Sequence, residues 1–344
     1  MSVRLSMPML QREAQRRGWR LKWNPMQPRA PKGSSLGGEW IDGGPARVMG
    51  NKGRQRLQAQ VQQFHKQNEP GRAQARTRVT ALLAQDARLA GADPADLQAL
   101  IKLYAGGRGS TSTDPSVLLD QWVAAATNLW AGTSGDSNAM AVAYQMAVQQ
   151  EFQLDSIGTT AIPSATLDRA TGIMADYEQE LRALARAQYT ATQNYLAEQG
   201  VDFVTVVRGM QLPGDPAGKP ESLSITSHAI SSYSLDSETA ASFAGGGESD
   251  AGEEGGVGYE DAEMNRDPPP ASSAPAPSRE GGVVLVQTLP RQAIFGVPMS
   301  SLGTAYEQEV VVLGGAGSAR TVYATDHVNN HDYAVAVDNA IAGK

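Results

Sequence analysis

The spacing of apolar residues changes near residue 200, and this change sets the class of fold. Between Pro163 and Gly200 the apolar residues recur every three or four positions, which predicts one long helix that ends at the glycine. After residue 200, short apolar runs bounded by glycine, proline and serine predict strands, with one short helix over residues 236–243. The predicted strands cover residues 203–207, 225–234, 283–287, 293–297, 310–313 and 321–324. The sequence therefore predicts an α+β fold whose helices precede its strands.

The region before this long helix also has helical spacing. Asp93-Pro94 and Asp114-Pro115 are each typical of a helix start, because an acidic N-cap is followed by proline at the first helical position. Behind the second pair an apolar stripe that includes Trp122 and Trp130 predicts a packed core, to which we assign no chemistry. We therefore predict an irregular arm at residues 1–50, a helical domain at 51–162 and an α+β domain at 163–344.

Charge is distributed unevenly along the 344 residues, whose net charge is −7. Residues 1–80 contain 16 Lys and Arg against 4 Asp and Glu, whereas the remainder contains 13 against 32. A basic segment on an acidic body suggests an anionic partner, such as nucleic acid, a membrane surface or an acidic protein. A disordered, solvated tail explains the same composition, and both interpretations stay open.

Residues 245–281 are rich in Gly, Ser, Pro and Ala, and carry eight acidic residues between Glu248 and Asp267. Such a segment buries too little apolar surface to fold alone, so we predict a disordered acidic loop. It either covers a neighbouring cleft and restrains activity, or is an insertion that the fold tolerates.

Several classes of protein are excluded or disfavoured by composition. The absence of cysteine excludes disulfides, thiolate metal sites and a cysteine nucleophile. No run of about 18 apolar residues exists, so we expect no transmembrane segment. Residues 1–20 lack an apolar core, so we expect no signal peptide. His327 and His331 are four residues apart, but no third ligand is evident and we expect no metal.

Polar residues cluster at the ends of three predicted strands. Arg208-Gly209 ends the first strand, Ser232 and Ser234 end the second, and Glu307 and Glu309 begin a later one. Arginine suits a phosphate or pyrophosphate, and glycine permits a ligand to approach the backbone. A carboxylate beside a ribose stabilises an oxocarbenium-like centre. Each residue taken singly is more typical of a solvated surface, but their order at strand edges favours a shared site.

This order resembles the R-S-E class of mono-ADP-ribosyltransferases, which includes clostridial binary toxins and ecto-transferases. The matching sequences are Val207-Arg208-Gly209, Ser232-Tyr233-Ser234, Ala240-Ala241-Ser242-Phe243-Ala244 and Glu307-Gln308-Glu309. The resemblance covers residues 163–344 and departs from the family at Tyr233, where threonine or glutamine is usual. It implies a mixed-sheet ADP-ribosyltransferase fold and NAD as co-substrate.

The resemblance also implies roles for individual residues. Arg208 would contact the NAD phosphate, and the Gly209 backbone would bond the nicotinamide carboxamide. Ser232 would orient Glu309, which would bond the ribose 2′-hydroxyl and favour loss of nicotinamide. Ser234 would belong to the same NAD-binding set.

For the acceptor, the resemblance implies that Glu307 activates an arginine of a target protein. Residues 299–306 would form the acceptor-recognition turn, with Tyr306 as a contact. A base beside the guanidinium is physically required, because a protonated guanidinium is a poor nucleophile.

A short stretch, Pro28–Trp40, resembles sequences in phage head-associated and polymorphic-toxin proteins. It fits a transferase that is delivered by virion injection or secretion and acts in the cytoplasm of a target cell, with the basic residues 1–80 associated with nucleic acid or the virion. Two alternatives stay open: an inactive transferase fold that serves as a structural or DNA-associated virion protein, and a bare NAD glycohydrolase.

Overall fold

The computed structural model describes residues 45–67, 69–132, 138–154, 162–212, 219–226, 228–245, 282–314, 316–327 and 329–343. The predicted acidic loop lies outside these residues except for Gly245, and so does the predicted arm except for its last residues. Those last residues correct one boundary, because Pro45 to Gly50 already form the start of a helix rather than an irregular arm.

Among the described residues, six α-helices precede the first strand. They are α1 (Pro45–Gln67), α2 (Glu69–Leu83), α3 (Pro94–Tyr104), α4 (Pro115–Gly132), α5 (Ala139–Glu151) and α6 (Ser164–Glu198). The Asp-Pro starts are confirmed: the Asp93 carboxylate accepts the Ala95 N–H, and the Asp114 carboxylate accepts the Ser116 N–H. Such caps satisfy backbone donors that have no partner inside the helix. The long helix α6 is confirmed too, with a kink at Tyr177.

The strands are β1 (Phe203–Gln211), β2 (Ser222–Thr226), β3 (Ile230–Ser234), β4 (Gly282–Pro290), β5 (Ile294–Gly296), β6 (Glu309–Leu313) and β7 (Ala316–Tyr323). They form one seven-stranded sheet in the order β2-β7-β4-β1-β3-β6-β5. The predicted α+β class is confirmed. The predicted mixed sheet is wrong for the described strands, because every pairing among them is antiparallel.

Two further elements differ from the sequence prediction. The single strand predicted over 225–234 is two strands, because β2 pairs with β7 at the sheet edge while β3 pairs with β1 and β6. Helix α7 (Ser237–Gly245) follows β3 as predicted. A C-terminal helix, α8 (Asn330–Ala342), was not predicted; the Asn329 side chain caps its start and Gly343, in the left-handed region, ends it.

Packing crosses the predicted boundary between the helical region and the strands. Buried residues of α2 to α6 form one core with sheet residues Ile230, Phe295 and Val311. Helix α1 packs on the sheet as well, through Leu57 and Val61. The helices therefore form a layer that packs on the sheet.

No helix among the described residues is both long enough and apolar enough to span a bilayer.

Candidate functional site

The cleft lies where the sheet opens. Strands β1 and β3 pair at one position in the described structure, Val207 opposite Ser234. Beyond it, β1 continues through Arg208 while paired to β4 along its other edge, and β3 remains paired to β6. Over the rest of their length, the facing edges of β1 and β3 therefore pair with no other strand that the structure describes, and a cleft of about 330 Å³ forms beside them.

The structure brings six of the seven sequence-predicted residues to this cleft: Arg208, Gly209, Ser232, Ser234, Glu307 and Glu309. Trp130, Thr239, Phe243 and Thr304 also line it. The seventh residue, Tyr306, is not part of the lining and is exposed in the turn just before Glu307.

Glu309 is buried and its carboxylate is held by three donors. The Ser232 hydroxyl and the Trp130 indole N–H both donate to Oε1, the indole at 3.0 Å. The backbone N–H of Thr304 donates to Oε2 at 2.7 Å. Ser232 reaches Glu309 because it lies diagonally across the β3–β6 pair, where Ser234 is directly opposite Glu309. A carboxylate with three directional partners is fixed in one orientation.

Glu307 is less buried and lies in a turn. Burial raises the pKa of Glu307 above its usual value, and the negative charge of Glu309 raises it further, whereas a hydrogen bond from the Thr304 hydroxyl at 3.2 Å opposes this shift. The turn is strained at Gln308, whose φ of 47° is uncommon for a residue other than glycine. Because the turn bends the chain there, the two carboxylates occupy different environments in one cleft.

The two serines of the second motif have different roles. Ser232 holds the Glu309 side chain, whereas the Ser234 hydroxyl donates to the Glu307 carbonyl at 2.7 Å and accepts the Asp236 N–H at 2.8 Å. Ser234 therefore fastens the turn that carries Glu307 to the end of β3.

Arg208 has no carboxylate within ion-pair distance among the described residues. Its guanidinium lies 5.6 Å from the centre of the Tyr233 ring. Burial raises the pKa of Tyr233, and the Arg208 charge opposes that shift. An arginine that is stacked on an aromatic ring and free of a carboxylate is available to an anion in the cleft.

Packing leaves no room for a side chain at Gly209. A Cβ atom at this position would lie 2.1 Å from the Ala240 carbonyl oxygen of α7. The absence of a side chain therefore lets α7, with Thr239 and Phe243, form one wall of the cleft.

The acceptor turn predicted at residues 299–306 is exposed in part. Met299, Ser300, Ser301 and Leu302 are buried. The Thr192 hydroxyl of α6 is 2.8 Å from both serine hydroxyls, so the first half of the segment is anchored. The second half, from Gly303, is the part that reaches the rim.

One arginine of the basic segment 1–80 has a structural role. Arg54, within the basic residues 1–80, is buried on α1 and donates to the Leu235 carbonyl and the Ser237 hydroxyl, each at 2.8 Å. Burial lowers the pKa of Arg54, while the nearby Asp338 opposes the shift. Arg54 therefore fixes the turn between β3 and α7 and does not face solvent.

Among the described residues, no group of three His, Cys, Asp or Glu side chains that could hold a metal ion is found. The His327 ring stacks on Tyr333, and His331 is exposed 3.9 Å from Glu238.

Trp130 was not predicted as part of the site, and Thr304 was predicted only as a member of the acceptor turn at residues 299–306. Trp130 belongs to the apolar stripe of α4 but is only partly buried, unlike Trp122 on the same helix. Spacing alone could not separate the two, because both fit the core pattern.

Comparisons with protein-family models, with curated proteins and with solved structures give no significant match to this chain.

Proposed function

We propose that this chain is an NAD-dependent mono-ADP-ribosyltransferase that modifies arginine side chains of target proteins, with an ADP-ribosyltransferase fold built on the open sheet. One observation carries the proposal. Ser232 and Glu309, 77 residues apart in sequence, form a hydrogen-bonded pair in the same cleft that presents Arg208 and Glu307. This matches the set that the sequence motifs imply.

The binding of NAD is supported by the charges around the cleft. Arg208 offers a planar cation to the diphosphate, and it need not break an ion pair among the described residues to do so. The edges of β1 and β3 without a partner strand offer backbone groups to the nicotinamide carboxamide.

In the proposed reaction, Glu309 acts in the cleavage of NAD. The bond between ribose C1′ and the pyridinium nitrogen breaks, and its electron pair leaves with neutral nicotinamide. The ribose is left as an oxocarbenium-like cation, which the fixed carboxylate of Glu309 stabilises. Because Ser232, Trp130 and Thr304 hold the carboxylate beforehand, little reorganisation is needed during the reaction.

In the proposed reaction, Glu307 acts in the transfer to the acceptor. A guanidinium nitrogen of the acceptor forms the new bond to C1′ and gives its proton to the Glu307 carboxylate, so charge is balanced. The raised pKa of Glu307 makes it a stronger base than an ordinary glutamate. The exposure of Tyr306 beside it supports a contact of this residue with the acceptor protein.

The test is incubation of the protein with NAD labelled in its adenylate phosphate, together with bacterial or eukaryotic lysate. We expect labelled protein bands, with the modification located on arginine by mass spectrometry. Free ADP-ribose without labelled protein would instead identify a glycohydrolase, and intact NAD would indicate an inactive fold.

A further inference from the structure

The helical layer contributes a side chain directly to the proposed catalytic carboxylate. Trp130 lies in the last turn of α4, and its indole N–H donates to Glu309 Oε1 across 179 positions of sequence. Neither the charge pattern nor the motifs of the strand region involve this helix.

The Glu309 carboxylate can accept only a limited number of hydrogen bonds. Each carboxylate oxygen has about two acceptor positions. Oε1 receives both Ser232 and Trp130, and Oε2 receives the Thr304 N–H. In the described structure Oε1 is therefore saturated, and the remaining acceptor position is on Oε2.

The helical layer is hydrogen-bonded to the sheet through a residue outside α4. On the neighbouring helix α5, the Gln145 side chain accepts the Ile230 N–H at 2.8 Å and donates to the Ile230 carbonyl at 3.0 Å. This pair of bonds attaches the helical layer to β3, the strand that carries Ser232. Trp130 on α4 and Ser232 on β3 approach Oε1 from two different elements, and buried residues of α4 and α5 share one core with Ile230 of β3.

We propose that Trp130 is a positioning residue of the ADP-ribosyl transfer site. With Ser232 it saturates Oε1 and so directs Oε2 to the ribose hydroxyl of the substrate. The helical layer then has a defined part in the reaction, since it completes the environment of Glu309. This inference rests on the proposed function.

The test compares two substitutions on one helix. Trp130→Phe removes the indole N–H that bonds Glu309. Trp122→Phe removes an indole N–H that is buried and has no hydrogen-bond partner in the described structure. Both keep an aromatic ring on α4, so Trp122→Phe controls for the change of ring within the helical core.

We expect Trp130→Phe to lower kcat for nicotinamide release about tenfold with KM for NAD nearly unchanged, because the lost bond is to a charged group that acts in the reaction. Trp122→Phe should stay within about twofold of wild type. Equal kcat for the two variants at equal thermal stability would overturn the positioning role.

A second readout does not need turnover. In protein labelled with ¹⁵N at tryptophan, the two substitutions assign the Trp130 and Trp122 indole N–H resonances. Glu309→Gln should shift the Trp130 resonance and leave the Trp122 resonance in place. An unmoved Trp130 resonance would contradict the contact. Absence of NAD cleavage by the wild type, with the Trp130 shift present, would overturn the reaction but not the contact.

Discussion

Substitution of Ser232 by alanine tests how the site holds its carboxylate. The Ser232 hydroxyl donates to Oε1 of the buried Glu309, and alanine leaves the Cβ atom and the strand in place. The substitution therefore removes one donor from the carboxylate, while the bonds from Trp130 and Thr304 remain.

A hydrogen bond to a charged group contributes roughly 1.5–3 kcal/mol. If this energy serves the transition state, its loss lowers kcat/KM about 10- to 100-fold, at about 1.4 kcal/mol for each factor of ten. We expect the lower end of this range for Ser232→Ala, because Trp130 continues to bond the same oxygen.

The matched control is Ser231→Ala, one residue earlier on β3. Successive residues of a strand point to opposite faces, so Ser231 points away from Glu309. Its hydroxyl is buried and has no hydrogen-bond partner in the described structure, a condition that costs about 1–3 kcal/mol. Ser231→Ala should therefore unfold at the same or a higher temperature than wild type, with activity within about twofold.

The assay for both variants is the initial rate of nicotinamide release from NAD at saturating and at low NAD. The same kcat/KM for Ser232→Ala and Ser231→Ala, with both folded by circular dichroism, would refute the role of Ser232 in holding Glu309.

Three further outcomes are expected. Gly209→Ala should lower the free energy of unfolding by about 1–3 kcal/mol in chemical denaturation, because its Cβ would overlap the Ala240 carbonyl oxygen. The control Gly172→Ala, in open space on α6, should be neutral or stabilising. Equal effects of the two substitutions would contradict the packing of α7 on β1. Glu307→Gln should retain NAD cleavage and lose transfer to an arginine acceptor such as agmatine, as followed by mass spectrometry; retained transfer would remove Glu307 from the proposed role. The raised pKa of Glu307 means that the folded protein binds this proton more tightly than the unfolded chain, so its contribution to stability is greatest at low pH and declines as pH rises through the raised pKa. Melting temperatures of wild type and Glu307→Gln should therefore diverge over that pH range in favour of the variant, and parallel curves would argue against a buried, perturbed carboxyl.

Much of the secondary structure followed from local patterns. The long helix α6 was predicted because its apolar spacing and terminal glycine agree, and the starts of α3 and α4 because an Asp-Pro pair specifies a cap. The separation of β2 from β3 was missed, since an edge strand and a central strand can read as one run when their partners are distant in sequence.

Long-range contacts explain the remaining differences. The motif residues were found because their chemical types occur in a fixed order, but spacing carried no information that Trp130 would reach Glu309. Likewise, the basic composition of residues 1–80 gave no sign that Arg54 is buried against the β3–α7 turn. Composition and periodicity describe one segment at a time, whereas these contacts depend on how segments pack.

The most direct measurement is nicotinamide release from NAD by wild type and by Glu309→Gln. Glutamine keeps the size of the side chain and one acceptor oxygen for Ser232 and Trp130, although its amide nitrogen cannot accept the Thr304 N–H. The cleft should persist, while the charge that stabilises the ribose cation is lost. We predict time-dependent release by the wild type and a loss of at least about 10²-fold in the variant. Equal rates in the two proteins, or no release by folded wild type, would contradict the assignment of this cleft to ADP-ribosyl transfer.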